Sequence, residues 1–112
     1  MVGIGKTRSL YSASVAGTKA EVIATDVDIA GYHLLNETAA VAYVQVFYKL
    51  AASVTVGTTV PDVVIPLPAS GGATMKFEGK GWRIPTALTL AATTTSGGAT
   101  GAACFITLFR SV

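Results

Sequence analysis

Residues 41–68 read VAYVQVFYKLAASVTVGTTVPDVVIPLP: two strongly apolar runs joined by a small-residue connection, rich in Gly and Thr, that closes on Pro61. The first run, 41–49, is unbroken and rich in Val, Phe and Tyr, side chains that fit a pleated, half-buried surface. Strand alternation puts Ala42, Val44, Val46 and Tyr48 on one face and Val41, Tyr43, Gln45 and Phe47 on the other. Neither face is polar. Such a strand must be covered on both sides, and the expectation is that one face meets the chain's own core and the other a neighbour. The second run, 63–67, is flanked by prolines; Pro66 suits an edge strand or a strand end, because proline donates nothing to a ladder.

The same two-faced character returns at 103–110, with Phe105 and Phe109 against Cys104, Ile106 and Leu108. Between these runs the chain alternates in shorter pieces. Residues 21–29 set Ile23, Val27 and Ile29 against Asp26 and Asp28, a half-exposed strand. Tyr32, His33, Leu34 and Leu35 then lead into the turn-like Asn36-Glu37-Thr38. Residues 74–78 place Met75 and Phe77 inward, and Gly79 and Gly81 bracket Lys80 in a turn or bulge before Trp82 and Ile84. Leu88, Leu90 and Ala92 share a face, and 93–102 is a Thr/Gly/Ser loop. Residues 1–18 read as an arm or lead-in, with a short edge strand from Ser9 to Ser14; 19–112 form the domain. No stretch keeps a helical period, and no repeat is visible. The pattern predicts one all-β domain, an antiparallel, jelly-roll-like sandwich of seven to eight strands.

Composition narrows the function classes. Charged residues make up 12% of the 112, about half the usual ~25%. A folded monomer of 11.4 kDa exposes roughly 5,800 Å², so its fourteen charges (8 basic plus 6 acidic) leave one per roughly 410 Å². That is sparse for a free monomer and predicts surface hidden in an assembly. Gln45 and Lys49 interrupt the best apolar window before it could span a bilayer, and the N-terminal order lacks a signal-peptide pattern. A net charge of +2 is too small and scattered to attract nucleic acid. Cys104 is the single cysteine, so no internal disulfide forms; its apolar run marks it as a core residue.

Motifs for chemistry are weak. Gly5-Lys6-Thr7 resembles the tail of a phosphate loop but lacks the earlier glycine and the strand–helix setting. His33 is the single histidine, with no nucleophile-elbow motif beside it, and one His with one Cys is short of a metal set. Asp26 and Asp28 suit a solvated face or a cation contact. Trp82 or Tyr32 with Asp26 or Asp28 would suit sugar stacking, although strand alternation favours burying Trp82. Asn36-Glu37-Thr38 fits a glycosylation sequon without a secretory signal. The expectation is no enzyme, no cofactor and no metal.

YVQVFYKLAASVTVGTTVPDVVIPLPASGG, followed by FEGKGWRIPTALTLAATTT and the Gly/Thr loop, resembles small virion structural proteins of tailed bacteriophages over half to two-thirds of the chain. The resemblance implies a β-sandwich assembly component: a capsid decoration (cement) protein, commonly a homotrimer, bound to the major capsid protein on the outside of the shell. A tail, baseplate or fibre-associated subunit, or a carbohydrate-binding module for host attachment, is the alternative. It would be located in the virion, assembled in the host cytoplasm, with no nucleic-acid or membrane partner. Tyr43, Phe47, Trp82, Phe105 and Phe109 are the aromatic anchors expected to divide between core and interface.

Overall fold

The computed structural model describes residues 7–79 and 81–111. Among these residues, nine strands form two antiparallel sheets. In the first sheet β1 (Thr7–Val15), β9 (Cys104–Ser111), β3 (Val27–Asn36) and β6 (Gly72–Lys76) lie side by side in that order. In the second the order is β2 (Ala20–Ile23), β8 (Leu88–Thr93), β4 (Ala42–Phe47) and β5 (Val63–Leu67). The ninth, β7 (Trp82–Ile84), pairs with β3 just beyond β6: Lys76 faces Gly31, and Trp82 faces Ile29. β6 and β7 therefore occupy one strand position interrupted by a bulge. Counted this way, each sheet has four positions, and the chain crosses between sheets at most connections. That is the jelly roll, eight strands wound as two Greek keys.

Local chemistry explains the boundaries. The bulge needs Gly79 and Gly81, whose φ angles are +62° and +82°. A Cβ on Gly81 would sit 2.5 Å from the Ile29 carbonyl oxygen, so only glycine fits there. The alternation expected across 21–29 belongs to two strands. β2 ends at Ile23 and β3 begins at Val27, the chain crossing between sheets at Ala24, Thr25 and Asp26. These residues carry no Gly or Pro to mark the turn, and the even spacing preserves the apparent parity. Within the expected lead-in, Thr7–Val15 forms a full edge strand paired with β9 from Thr7–Ser111 to Val15–Cys104. Residues 1–6, which hold the start of the arm and most of the phosphate-loop resemblance, lie outside the described residues, as do Lys80 and Val112.

The core lies between the sheets. Ile29 and Leu34 from β3 and Cys104, Ile106 and Leu108 from β9 meet Val44 and Val46 from β4 and Leu88 and Leu90 from β8, all buried. The molecule exposes 5737 Å², close to the roughly 5,800 Å² a monomer of this mass should show. Its extents, 42 × 30 × 19 Å, describe a slab about two packed sheets thick.

Candidate functional site

The slab has two broad outer faces, and they differ. Over the β2–β8–β4–β5 sheet, the second apolar face of β4 is covered by the chain itself. Phe47 and Gln45 are fully buried. Phe47 packs with Val54, Val56 and Ala91 in a small cluster of its own, formed by the 48–62 connection folding back over the sheet. Its base is tied by reciprocal bonds: the Asp62 amide donates to the Val46 carbonyl (2.8 Å), and the Tyr48 amide donates to the Asp62 carboxylate (2.7 Å). The 94–101 loop covers the rest. Gln45 Nε2 donates to Gly98 O (3.0 Å) and to Thr93 Oγ1 (2.7 Å), while Thr93 Oγ1 donates to Thr95 O (2.7 Å). Thr89 Oγ1 donates to Lys49 O (2.8 Å). The two loops meet where Gly57, at φ +93°, leaves room for Ala99: a Cβ there would approach the Ala99 side chain to 2.7 Å.

This corrects the expectation that β4 offers its second face to a neighbour. The Gln45 amide nitrogen and the Thr89 and Thr93 hydroxyls of that face find partners in loop backbone, which is how a roof of small residues is held without a large apolar core; Gln45 Oε1 is buried without a partner. Phe47 is therefore a core residue of the monomer. Tyr43 is half-buried in the same outward row.

The outer face of the other sheet has no such roof among the described residues. β9 presents Phe105, Thr107 and Phe109 outward, and β3 presents Leu35, His33 and Gly31 at the same levels: Leu35 faces Phe105, His33 faces Thr107, and Gly31 faces Phe109. Leu35 is 41% exposed, and Phe105 and Phe109 are each 37% exposed. Beside Phe109 lies a recess of about 340 Å³, next to Gly31, where β6 runs so close that a Cβ would sit 2.6 Å from the Met75 carbonyl oxygen. The recess is bounded by His33, Thr74, Lys76 and Phe77. His33 Nδ1 shares a 2.8 Å hydrogen bond with Thr74 Oγ1 across the strand pair. The expected anchors Phe105 and Phe109 thus come together on one surface. Leu35 and His33, which no motif singled out, join them, because the β3–β9 register sets them opposite.

Trp82 lies elsewhere. With Tyr32, Tyr48 and Phe77 it forms an aromatic cluster of edge-to-face and tilted pairs, ring centroids 5.9–6.4 Å apart, that bridges the two sheets where β5 and β7 form their edges. Trp82 Nε1 donates to Tyr48 Oη at 2.9 Å, which satisfies the polar tip of a mostly packed ring. Burial raises the Tyr32 hydroxyl above its ordinary pKa. Asp26 and Asp28 share one cation: Arg83 pairs with both, and the two hydrogen bonds hold its pKa up. The aromatic and acidic groups considered for sugar binding are thus engaged within the chain. Asn36, the sequon residue, is buried with its amide in hydrogen bonds, so it offers no acceptor for a glycan.

Cys104 is buried between the sheets, and desolvation first, then the negative charge of Glu37, push its pKa up. The native thiol should resist a disulfide reagent at mildly alkaline pH and react fully in denaturant; rapid native labelling would show that the β9–β3 seam opens. Because the folded state holds this proton more tightly than the unfolded chain, stability should decline as pH rises past the ordinary thiol value of 9.0. Among the described residues no group of three or more His, Cys, Asp or Glu could hold a metal ion, and no helix is long and apolar enough to cross a membrane.

Together, the fold and this surface define an all-β jelly-roll sandwich with one broad face closed by its own loops and one that, among the described residues, is left open. Comparison with protein-family models, curated proteins and solved structures finds no match.

Proposed function

We propose that this chain is a structural virion subunit of the capsid-decoration type, which binds the outer surface of a bacteriophage shell through the open face of the β1–β9–β3–β6 sheet and stabilises it. The observation that carries this reading is the contrast between the two faces. One is roofed by 48–62 and 94–101; the other exposes Leu35, Phe105 and Phe109 in register in a chain with sparse charge. Jelly rolls are a recurrent architecture of viral structural and lectin domains, and the resemblance of 43–95 points to the virion.

The energetics fit a repeated, weak contact. A face of 42 × 30 Å accommodates the ~800 Å² per partner of a standard interface. If half to two-thirds of that is apolar, its burial contributes roughly 10–13 kcal/mol, against about 4–15 kcal/mol of association cost. A single copy would bind marginally. Copies joined to one another and seated on a symmetric lattice would bind firmly through effective concentration.

Electron microscopy of particles that carry this chain should place its density on the outside of the shell, with Phe105 and Phe109 at the contact. The double variant L35D/F105D, still folded by circular dichroism, should be lost from those particles. Density in the tail, absence from the particle, or retention of the folded variant would overturn the reading.

A further inference from the structure

A jelly roll has four sheet edges, and each presents unpaired backbone donors and acceptors to any strand that approaches. Among the described residues, three of these edges are blunted here. β2 has four residues and a register shift between Glu21 and Ile23. β5 carries Pro66, which cannot donate on either side. β6 has five residues, ends on Lys76 and gives way to a bulge with positive φ at Gly79 and Gly81. The fourth edge, β1, is nine residues long. From Ser9 to Val15 it holds neither a proline nor a charge. Its bulge lies at Ser9–Tyr11, which leaves Tyr11 to Val15 in regular register with β9.

We infer that the β1 edge is a self-association surface on which a second copy of this chain pairs its own β1 antiparallel, about a two-fold axis at Ala13. The occupant follows from self-complementarity. An isologous contact requires each residue to suit its symmetry mate. Pairing about Ala13 sets Tyr11 opposite Val15 of the second copy and Ser12 opposite Ser14. Side-chain parity is kept throughout: Ser12 and Ser14 lie on the exposed outer side, while Tyr11, Ala13 and Val15 turn toward the core side, where Val15 is buried and the other two half-buried. An axis on Ser12 would bring the bulged Leu10 into the ladder and lose that parity. Small side chains at Ser12, Ala13 and Ser14 let the two backbones approach to ladder distance, about 4.8 Å. The product is one continuous eight-position sheet, which places the Leu35–Phe105–Phe109 surfaces of both copies on the same side.

The inference stands independently of capsid binding, because it concerns the edge and not the open face. Light scattering after size-exclusion chromatography should give a mass twice 11.4 kDa. The variant S12K/S14K, which sets like charges opposite each other twice, should run as a folded monomer. S12K/S14E sets opposite charges there instead and should remain dimeric. S12C/S14C should form a covalent dimer with oxidised glutathione, since facing antiparallel residues lie about 4.5–5.5 Å apart at Cα, within disulfide reach; buried Cys104 would not compete. A monomeric wild type would overturn the inference. So would an oligomer indifferent to S12K/S14K, or a trimer that S12C/S14C does not cross-link. L35D/F105D should dimerise normally while losing the particle, so failure of the docking reading and failure of this one give different results.

Discussion

Phe47→Ala should lower the folding stability of the isolated chain by about 3–5 kcal/mol, the range for truncating a fully buried Phe. Against a total of roughly 5–15 kcal/mol for a small domain, this removes a large fraction. At about 4 °C per kcal/mol it lowers the melting temperature by roughly 12–20 °C. The size follows from where the ring lies. Phe47 points away from the central core, yet it is fully buried against Val54, Val56 and Ala91. Deleting it opens a cavity beneath a roof that few other side chains hold down. The 48–62 connection is pinned at its base by Asp62 and along its length by Thr89 and by Lys19, whose Nζ donates to Val54 O, so it can settle only partly into the space. Hydrogen exchange should quicken first at Val54 and its neighbours, before the inter-sheet core loosens. If Phe47 instead awaited a partner, truncation would cost the monomer well under 1 kcal/mol, and a thermal melt separates the two outcomes.

Residues 41–49 show in sequence that β4 needs cover on both sides. They do not show that the cover is intramolecular. The roof is built from AASVTVGTT and TTSGGATG, small residues without periodicity that read as plain loops. The clue present was polar: Gln45 in mid-strand, with Thr89 and Thr93 on the strand beside it, carry buried donors that need acceptors close by, and loop carbonyls supply them. The sandwich class was legible because alternation and turn residues are local signals. The split of β9 into Cys104, Ile106 and Leu108 inside and Phe105 and Phe109 outside was legible for the same reason. The pairing of Phe105 with Leu35 was not, because register between distant strands depends on which strands become neighbours. Trp82 illustrates the same limit: its hydrogen bond to Tyr48 joins residues 34 apart in sequence and on opposite sheets.

Asn36→Ala should cost about 2–4 kcal/mol, although it removes only one small polar side chain, because it strands several buried groups at once. Asn36 ends β3 where the chain leaves one sheet for the other, and the β5–β6 connection crosses back beside it. Its side chain holds both crossings. Nδ2 donates to Ala40 O at 2.7 Å and to Pro68 O at 3.0 Å, and Oδ1 accepts from the Thr38 amide at 2.9 Å and from Thr38 Oγ1 at 2.7 Å. The backbone adds a bond from the Asn36 amide to Gly71 O (2.7 Å) and one from the Ser70 amide to Thr38 O (2.9 Å), with Ser70 held at φ +53°. Asn36→Asp tests the donor role separately. A carboxylate still accepts from Thr38, but it turns negative oxygen toward the carbonyls of Ala40 and Pro68 in a buried site near Glu37, so it should cost more than alanine at neutral pH. Burial beside those oxygens raises the folded-state pKa of the new acid above its unfolded value. The stability of N36D is therefore retained below the ordinary carboxylate range and lost as pH rises through the elevated folded value. Melting curves of wild type, N36A and N36D at acidic and neutral pH should show N36D alone closing its gap to wild type on acidification. A pH-independent gap would mean that the buried amide donates nothing that matters to either crossing.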